Sequence, residues 1–198
     1  MGDLASAIEP CCVSHSSKPQ QQPEGEARFW YRDNFFLTTS KAWLDPRAIN
    51  RVFASDLMWW NDPLEETQMS KMLTNCLTVS VYWVPETEAQ MKNGNDLELV
   101  GLARVITDYV TFAYLTDVFI TRDFQRRGLA SWMMRGVKEV VSEWPNLRGL
   151  VLMTSDKAAA KMYQRELGAL EWDEGPSAGL VLLEMPGRGV KDVPEDHD

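Results

Sequence analysis

Gln125, Arg126, Arg127, Gly128, Leu129 and Ala130 stand between an apolar, β-branched stretch at 115–120 and a run in which Leu129, Met133, Val137, Val140 and Val141 recur at helical spacing. Gly128 has no Cβ, so backbone there can approach a bulky group closely and take a positive φ. Ala130 is small enough for a first helical turn. A strand that feeds a helix through such a turn leaves the first helical N–H groups unpaired, and the helix dipole favours an anion beside them. Between 122 and 138, Arg122, Arg126, Arg127, Arg135 and Lys138 oppose a single acid, Asp123, in a chain of net charge −9. A local positive site on a negative chain fits a phosphate-bearing ligand. The plain alternative is an arginine-rich surface turn ahead of an amphipathic helix.

Asp117 is the other residue out of place, a carboxylate among the apolar residues of 115–120. A buried carboxylate is paired or functional, so Asp117 reads either as a general base or as the ion-pair partner of Arg104. Asp108, beside the same strands, is a second group able to take a proton directly or through water. Trp43, Trp59, Trp60, Tyr109, Phe112 and Tyr114 offer aromatic walls for a small pocket or an open groove, and the tryptophans serve equally well as core. The two histidines, His15 and His197, lie near the chain ends, which argues against a histidine triad or a zinc site.

The elements that must position these residues follow from pattern. Residues 28–40 are aromatic around Asp33-Asn34 and read as a first strand interrupted or followed by a bend there. Asp45-Pro46 announces a helix, with an apolar face at Ile49, Val52, Phe53, Leu57 and Trp60, and a second short helix starts near Pro63 and ends before Asn75. Strands are expected at 76–84, 97–107 and 110–120, the first two joined by a polar connection with its turn at Asn93-Gly94. After the helix from Leu129, Trp144-Pro145-Asn146 ends it, 150–154 forms a buried strand, Ser155-Asp156 caps a helix carrying Ala158, Ala159, Met162 and Tyr163, and 180–185 is a last strand.

With 198 residues and 44 % of them hydrophobic, one domain at 27–186 is expected, between a disordered tail at 1–26 and an acidic tail at 187–198. The negative charge argues against a nucleic-acid partner. No run reaches a membrane span, and Asp3 speaks against reading Met1-Gly2 as a myristoylation signal, so no membrane partner is expected. Three cysteines, Cys11, Cys12 and Cys76, make no disulfide framework, which fits a reducing, cytoplasmic setting. The sequence leaves the oligomeric state open, a homodimer included.

Gln125-x-x-Gly128-x-Ala130 after an apolar strand resembles the acetyl-CoA pyrophosphate loop of the GCN5-related N-acetyltransferase (GNAT) superfamily, Gln/Arg-x-x-Gly-x-Gly/Ala. Residues 99–120 are similar to the central strands of a compact subgroup of that superfamily, and 156–170 to its next helix; the likeness spans roughly 29–185. It implies an α+β fold: a mixed, mostly antiparallel sheet splayed between the strands that flank the CoA-binding helix, with helices on both faces. The connection at 85–96 looks like an insertion relative to that subgroup.

The resemblance also implies roles. Backbone of Val118, Phe119 and Ile120 would hold the pantetheine arm, as a peptide pairs with a strand edge. The N–H groups of Gln125, Arg126, Arg127, Gly128, Leu129 and Ala130 would hold the pyrophosphate, with Arg122, Arg126 or Arg127 reaching it, and Asp156 and Ala159 would flank the arm. Val118 N–H would serve as oxyanion donor, and Tyr163 stands where many members place a general acid for the leaving thiolate. Trp59, Trp60, Arg104, Asp108 and Tyr114 would contact the acceptor. Two departures are visible: Gly168 follows Tyr163 by five residues where the family has four, and Asp156 replaces a common Asn. The implied function is acetyl-CoA-dependent acetylation of a primary amine of a small molecule by direct transfer, without a metal. A peptide amine as acceptor, or a module that binds CoA without turnover, is the alternative.

Overall fold

The computed structural model describes residues 26–86, 97–172, 183 and 185. The tail at 1–25, the turn at Asn93-Gly94 and the acidic end at 187–198 lie outside the described residues. So does most of the strand expected at 180–185; Leu183 and Met185, which are described, belong to no strand.

Six strands form one sheet in the order β1 to β6: β1 (Phe29–Arg32), β2 (Phe35–Thr38), β3 (Leu77–Trp83), β4 (Glu98–Thr107), β5 (Phe112–Ile120) and β6 (Gly149–Leu152). All neighbours are antiparallel except β5 and β6, which run parallel. Of the two readings of 28–40 the interruption at Asp33-Asn34 is the one formed, and it is a hairpin, because Asp33 takes a positive φ of 52° and turns the chain back on itself. Asp and Asn tolerate that region better than β-branched residues do.

Helices cover both faces. On one side α1 (Pro46–Phe53) and α2 (Glu66–Thr74) pack Ile49, Phe53, Met69 and Leu73 against Leu102 and Phe119. The Asp45 carboxylate accepts the Arg47 N–H at 2.9 Å and Pro46 opens α1, the expected start. The apolar face does not continue to Trp60: α1 stops at Phe53, and a single 3-10 turn (Asp56–Met58) rotates the chain so that Met58 is buried and Trp60 exposed. On the other side α3 (Leu129–Ser142) packs against Leu37, Val79 and Val105, and α4 (Lys157–Leu167) lies on α3 and adds Tyr163 to the same core. Gly136 lets α3 lie close to the sheet, since a Cβ there would meet Leu37 Cδ2 at 2.5 Å. With both faces covered, the alternation in β3 marks two buried faces, and Thr78 and Ser80 are as inaccessible as Val79 and Val81.

Two irregularities position the site. The β5–β6 register runs from Phe112↔Gly149 to Leu115↔Leu152 and stops there, while β5 continues to Ile120. Residues 116–120 therefore present an edge that β6 does not cover, and the sheet opens as a wedge. Just past that point, on the β4 side, Arg104 pairs with Thr116 but Leu102 with Phe119, so β5 carries an extra residue, a bulge at Asp117 and Val118. Asp117 adopts φ 48° there. The bulge changes which face each side chain meets: Ala113 and Leu115 join the α3 side, whereas Phe119 joins the α1–α2 side.

Candidate active site

The loop between β5 and α3 begins with a 3-10 turn (Arg122–Phe124) whose Phe124 ring is buried between Phe35 and Trp83. Gln125 closes it: its backbone N–H bonds Arg122 O at 3.3 Å and its side-chain Nε2 bonds Ile120 O at 3.0 Å. The Gln125 N–H, expected to face the pyrophosphate, is thus engaged in building the loop, as is the side-chain amide. Arg126 and Gly128 take left-handed conformations, φ 59° and 70°. Such turns gather successive N–H groups into an anion-binding concavity. Trp132 N–H to Gly128 O, 3.1 Å, is the first bond of the α3 ladder, which leaves the N–H groups of Leu129, Ala130 and Ser131 without intrahelical partners. A Cβ built at Gly128 meets one neighbour within 4 Å, Arg32 Nη1 at 3.7 Å. A diphosphate fits the donor set of the cradle.

The arginines divide. Arg122 pairs with Asp56 at 2.6 Å across the edge of α1's side, and Arg127 turns back, bonding Asp123 O at 3.1 Å over the Phe124 ring. Exposed Arg126 makes neither kind of contact. Arg32, at the end of β1, was not anticipated: its Nη2 bonds Arg127 O at 2.9 Å and its guanidinium lies 4.9 Å over the Trp132 ring. No periodicity or motif marks it, because only the tertiary course of α3 past β1 brings residues 32 and 127 together.

Below the loop, the edge of β5 that β6 leaves uncovered carries the backbone of Val118 and Ile120, while the Ile120 side chain is buried on the α3 side and the Phe119 side chain on the α1–α2 side with Leu102. Tyr163 is buried on α4, on the α3 side of the sheet. Burial, and next the nearby Asp156 charge, push its phenol up to about 12, so it is protonated throughout the neutral range. Asp156 is the α4 N-cap, accepting from Ala158 N at 2.7 Å and Ala159 N at 3.1 Å. Its oxygen Oδ1 is thereby committed to the backbone. Gly168 ends α4 in the left-handed conformation, φ 75°, and the extra residue before it is simply one more helical position.

On the opposite face, Arg104 Nε donates to Asp117 Oδ2 at 2.6 Å and Asn61 Nδ2 donates to Asp117 Oδ1 at 2.9 Å. The side chains of Arg104 and Asp117 are 12 % and 4 % exposed. Of the two readings of Asp117, the ion pair with Arg104 is the one the structure forms. Asn61 ties the segment bearing Trp59 and Trp60, rings 5.7 Å apart edge to face, to β5 beside the wedge. Tyr114 sits lower on β5, opposite Ile106 and Val151.

Asp108, the second group expected beside the acceptor, is bound up in a turn. Asp108 caps the β4–β5 turn, accepting from Val110 N, Thr111 N, Phe112 N and Thr111 Oγ1, at the closed end of the wedge. Those bonds, the Thr111 hydroxyl first, hold its carboxyl well below the usual range. Of the other aromatics, Trp43 packs on Phe36 and Tyr82 and lines a cavity of about 570 Å³ with Thr121 and Arg122, Tyr109 packs on Trp144, and Phe112 lies at the closed end. Among the described residues no three of His, Cys, Asp and Glu gather as metal ligands, and no helix is long and apolar enough to cross a membrane.

The family model of the acetyltransferase (GNAT) family matches residues 54–169, which takes in the loop, the wedge, Asp117 and Tyr163. The chain belongs to the GNAT family. A curated Gibberella zeae relative, assigned as an acetyltransferase, is 32 % identical over 170 residues, covering 80 % of this chain and 93 % of that protein. Among solved structures, a protein of Xanthomonas campestris pv. campestris assigned to the GNAT family as an acetyltransferase is 27 % identical, with a TM-score of 0.54 over 78 % of this chain and 94 % of that one. Spermidine N-acetyltransferase from Vibrio cholerae, in complex with CoA and spermine, shares the fold at 16 % identity and a TM-score of 0.50, over 68 % of this chain and 80 % of that one. The α+β architecture and acyltransferase class expected of a GNAT protein hold for this chain.

Proposed function

We propose that this acetyltransferase moves the acetyl group of acetyl-CoA directly to the primary amine of a small molecule within a ternary complex. The observation that carries the reading is the wedge: β5 leaves β6 after Leu115, next to the bulge at Asp117 and Val118 and one loop away from the Gly128 cradle. The diphosphate lies in the cradle on the N–H groups that open α3, with Arg126 beside it. The pantetheine arm enters the wedge along the exposed edge of β5, and Ala159 lines its far side.

The uncharged amine attacks the thioester carbonyl carbon, forming the C–N bond as the C–S bond breaks. The carbonyl oxygen gains charge against the Val118 N–H. Tyr163 hydrogen-bonds the departing sulfur and supplies its proton, and the amide nitrogen releases a proton to solvent. Because burial raises the phenol, it enters every turnover protonated. Asp117 holds Arg104 and Asn61 toward the acceptor in this reading, and Trp59, Trp60 and Tyr114 bound the acceptor space. Support for a small acceptor comes from Asn61, whose bond to Asp117 closes the floor between the 3-10 turn and β5.

The test is a panel of small primary amines against peptides bearing a free N-terminus or a lysine, with release of CoA thiol as the signal. Higher kcat/KM for one or more small amines is expected. Turnover confined to peptides would move the acceptor to the other class.

A further inference from the structure

We infer that Arg32 is a positioning residue of the diphosphate cradle, acting from the far edge of the sheet by fixing the peptide planes of the loop. The inference rests on the reading of that loop as the CoA diphosphate site. Arg32 Nη2 donates to Arg127 O at 2.9 Å and Nη1 to Gly128 O at 3.4 Å. Each peptide unit is planar and trans, so its C=O and the following N–H point in opposite directions. Drawing the carbonyls of Arg127 and Gly128 toward Arg32 therefore turns the N–H groups of Gly128 and Leu129 the other way, into the concavity. These are the two donors at the junction of the left-handed turn and the helix.

Nothing else described in the loop does this. Gly128 has φ 70° and no side chain to restrain it, and no side chain caps the α3 N-terminus. Arg127 and Gln125 brace the preceding turn through Asp123 O and Ile120 O. The two following carbonyls are left to Arg32, with Trp132 N–H sharing Gly128 O at 3.1 Å.

The guanidinium is itself immobilised. Its carbon lies 4.9 Å from the centre of the Trp132 ring, in the first turns of α3. A planar fork that stacks on an aromatic face while donating two bonds is a geometry lysine does not reproduce. Arg32 also places a positive charge behind the cradle, which favours the diphosphate further. The same strand is anchored along α3 by Trp30 Nε1 to Glu139 at 3.0 Å and by Arg28 to Glu143, so β1 carries Arg32 to the loop as part of a fixed edge.

Calorimetric titration of CoA and of pantetheine, which lacks the diphosphate, into wild type, Arg32→Gln and Arg32→Lys tests this. Both variants are expected to weaken CoA by about tenfold, the scale of one lost charge-assisted contact, and to leave pantetheine binding at the wild-type value. Unchanged pantetheine binding also shows that the fold has survived. Wild-type CoA affinity in Arg32→Lys would reduce the role to charge and overturn the positioning account. An equal loss for CoA and pantetheine would make Arg32 a support of the whole fold and overturn it as well. A wild-type protein that binds CoA no better than pantetheine would instead remove the loop reading itself, and the inference with it.

Discussion

Asp117 and Arg104 meet across β4 and β5 with Nε and Oδ2 2.6 Å apart, at the one place where β5 carries an extra residue. The bulge and the ion pair explain each other. A left-handed φ of 48° at Asp117 re-aims its carboxylate to the α1–α2 face, where Arg104 and Asn61 receive it.

Asp117→Asn should therefore be foremost a stability mutation. Removing one partner of a buried pair typically costs about 3–5 kcal/mol, and the Arg104 guanidinium would be left buried without its carboxylate. Urea unfolding is expected to show a loss of that size. A variant of wild-type stability whose activity deficit shrinks as pH rises toward the amine's pKa would return Asp117 to the role of general base.

Gly128→Ala probes the cradle without adding charge. Its φ of 70° costs an L-residue about 1–2 kcal/mol, and relief of that strain would unmake the turn that gathers the N–H groups. CoA affinity measured by calorimetry should fall by more than for Arg126→Ala, because backbone supplies most of the donors. Gly128→Asp, which adds a carboxylate beside the site, should abolish binding in a folded protein.

Ionisation of Tyr163 gives a prediction about stability and pH. Its folded value, about 12, lies above the reference of about 10, so the neutral phenol is favoured by folding. That contribution is fully present below pH 10 and is lost as pH rises through 12. Two units correspond to about 2–3 kcal/mol. Wild type should lose stability by that much more than Tyr163→Phe between pH 10 and 12, as followed by denaturant unfolding at each pH. Asp156→Asn keeps the α4 cap, since Asn caps as well as Asp, but removes the charge that helps raise the phenol, so its loss should be smaller.

Much of this was legible in the sequence because the signals were local. Asp45-Pro46 and Asp156 are caps whose partners lie two or three residues on, and the loop motif is contiguous. What escaped was set by tertiary geometry. The bulge at Asp117 and Val118 leaves no mark on the apolar pattern of 115–120, yet it decides which side of the sheet Phe119 joins. The break at Asp33-Asn34 was visible, but not that its two flanks pair with each other as a hairpin. The apolar spacing from Ile49 to Trp60 looks continuous, although the chain breaks helix after Phe53 and buries Met58 instead. That Asp108 caps the β4–β5 turn was not legible, because proximity in sequence to the site strands says nothing about which end of a ten-residue strand it occupies. Arg32 lies 95 residues from Arg127 and had no sequence signal at all.

The most direct measurement is the turnover number for amine-dependent release of CoA thiol by wild type and Tyr163→Phe, with saturating acetyl-CoA and a small primary amine that wild type accepts. The substitution keeps the ring and its packing and removes the one hydroxyl assigned to the departing sulfur. The account predicts that kcat falls by roughly a hundredfold or more, the scale of a lost general acid. Acetyl-CoA affinity should stay unchanged, because charge develops on sulfur only toward the transition state. Wild-type turnover by Tyr163→Phe across the pH range would contradict it.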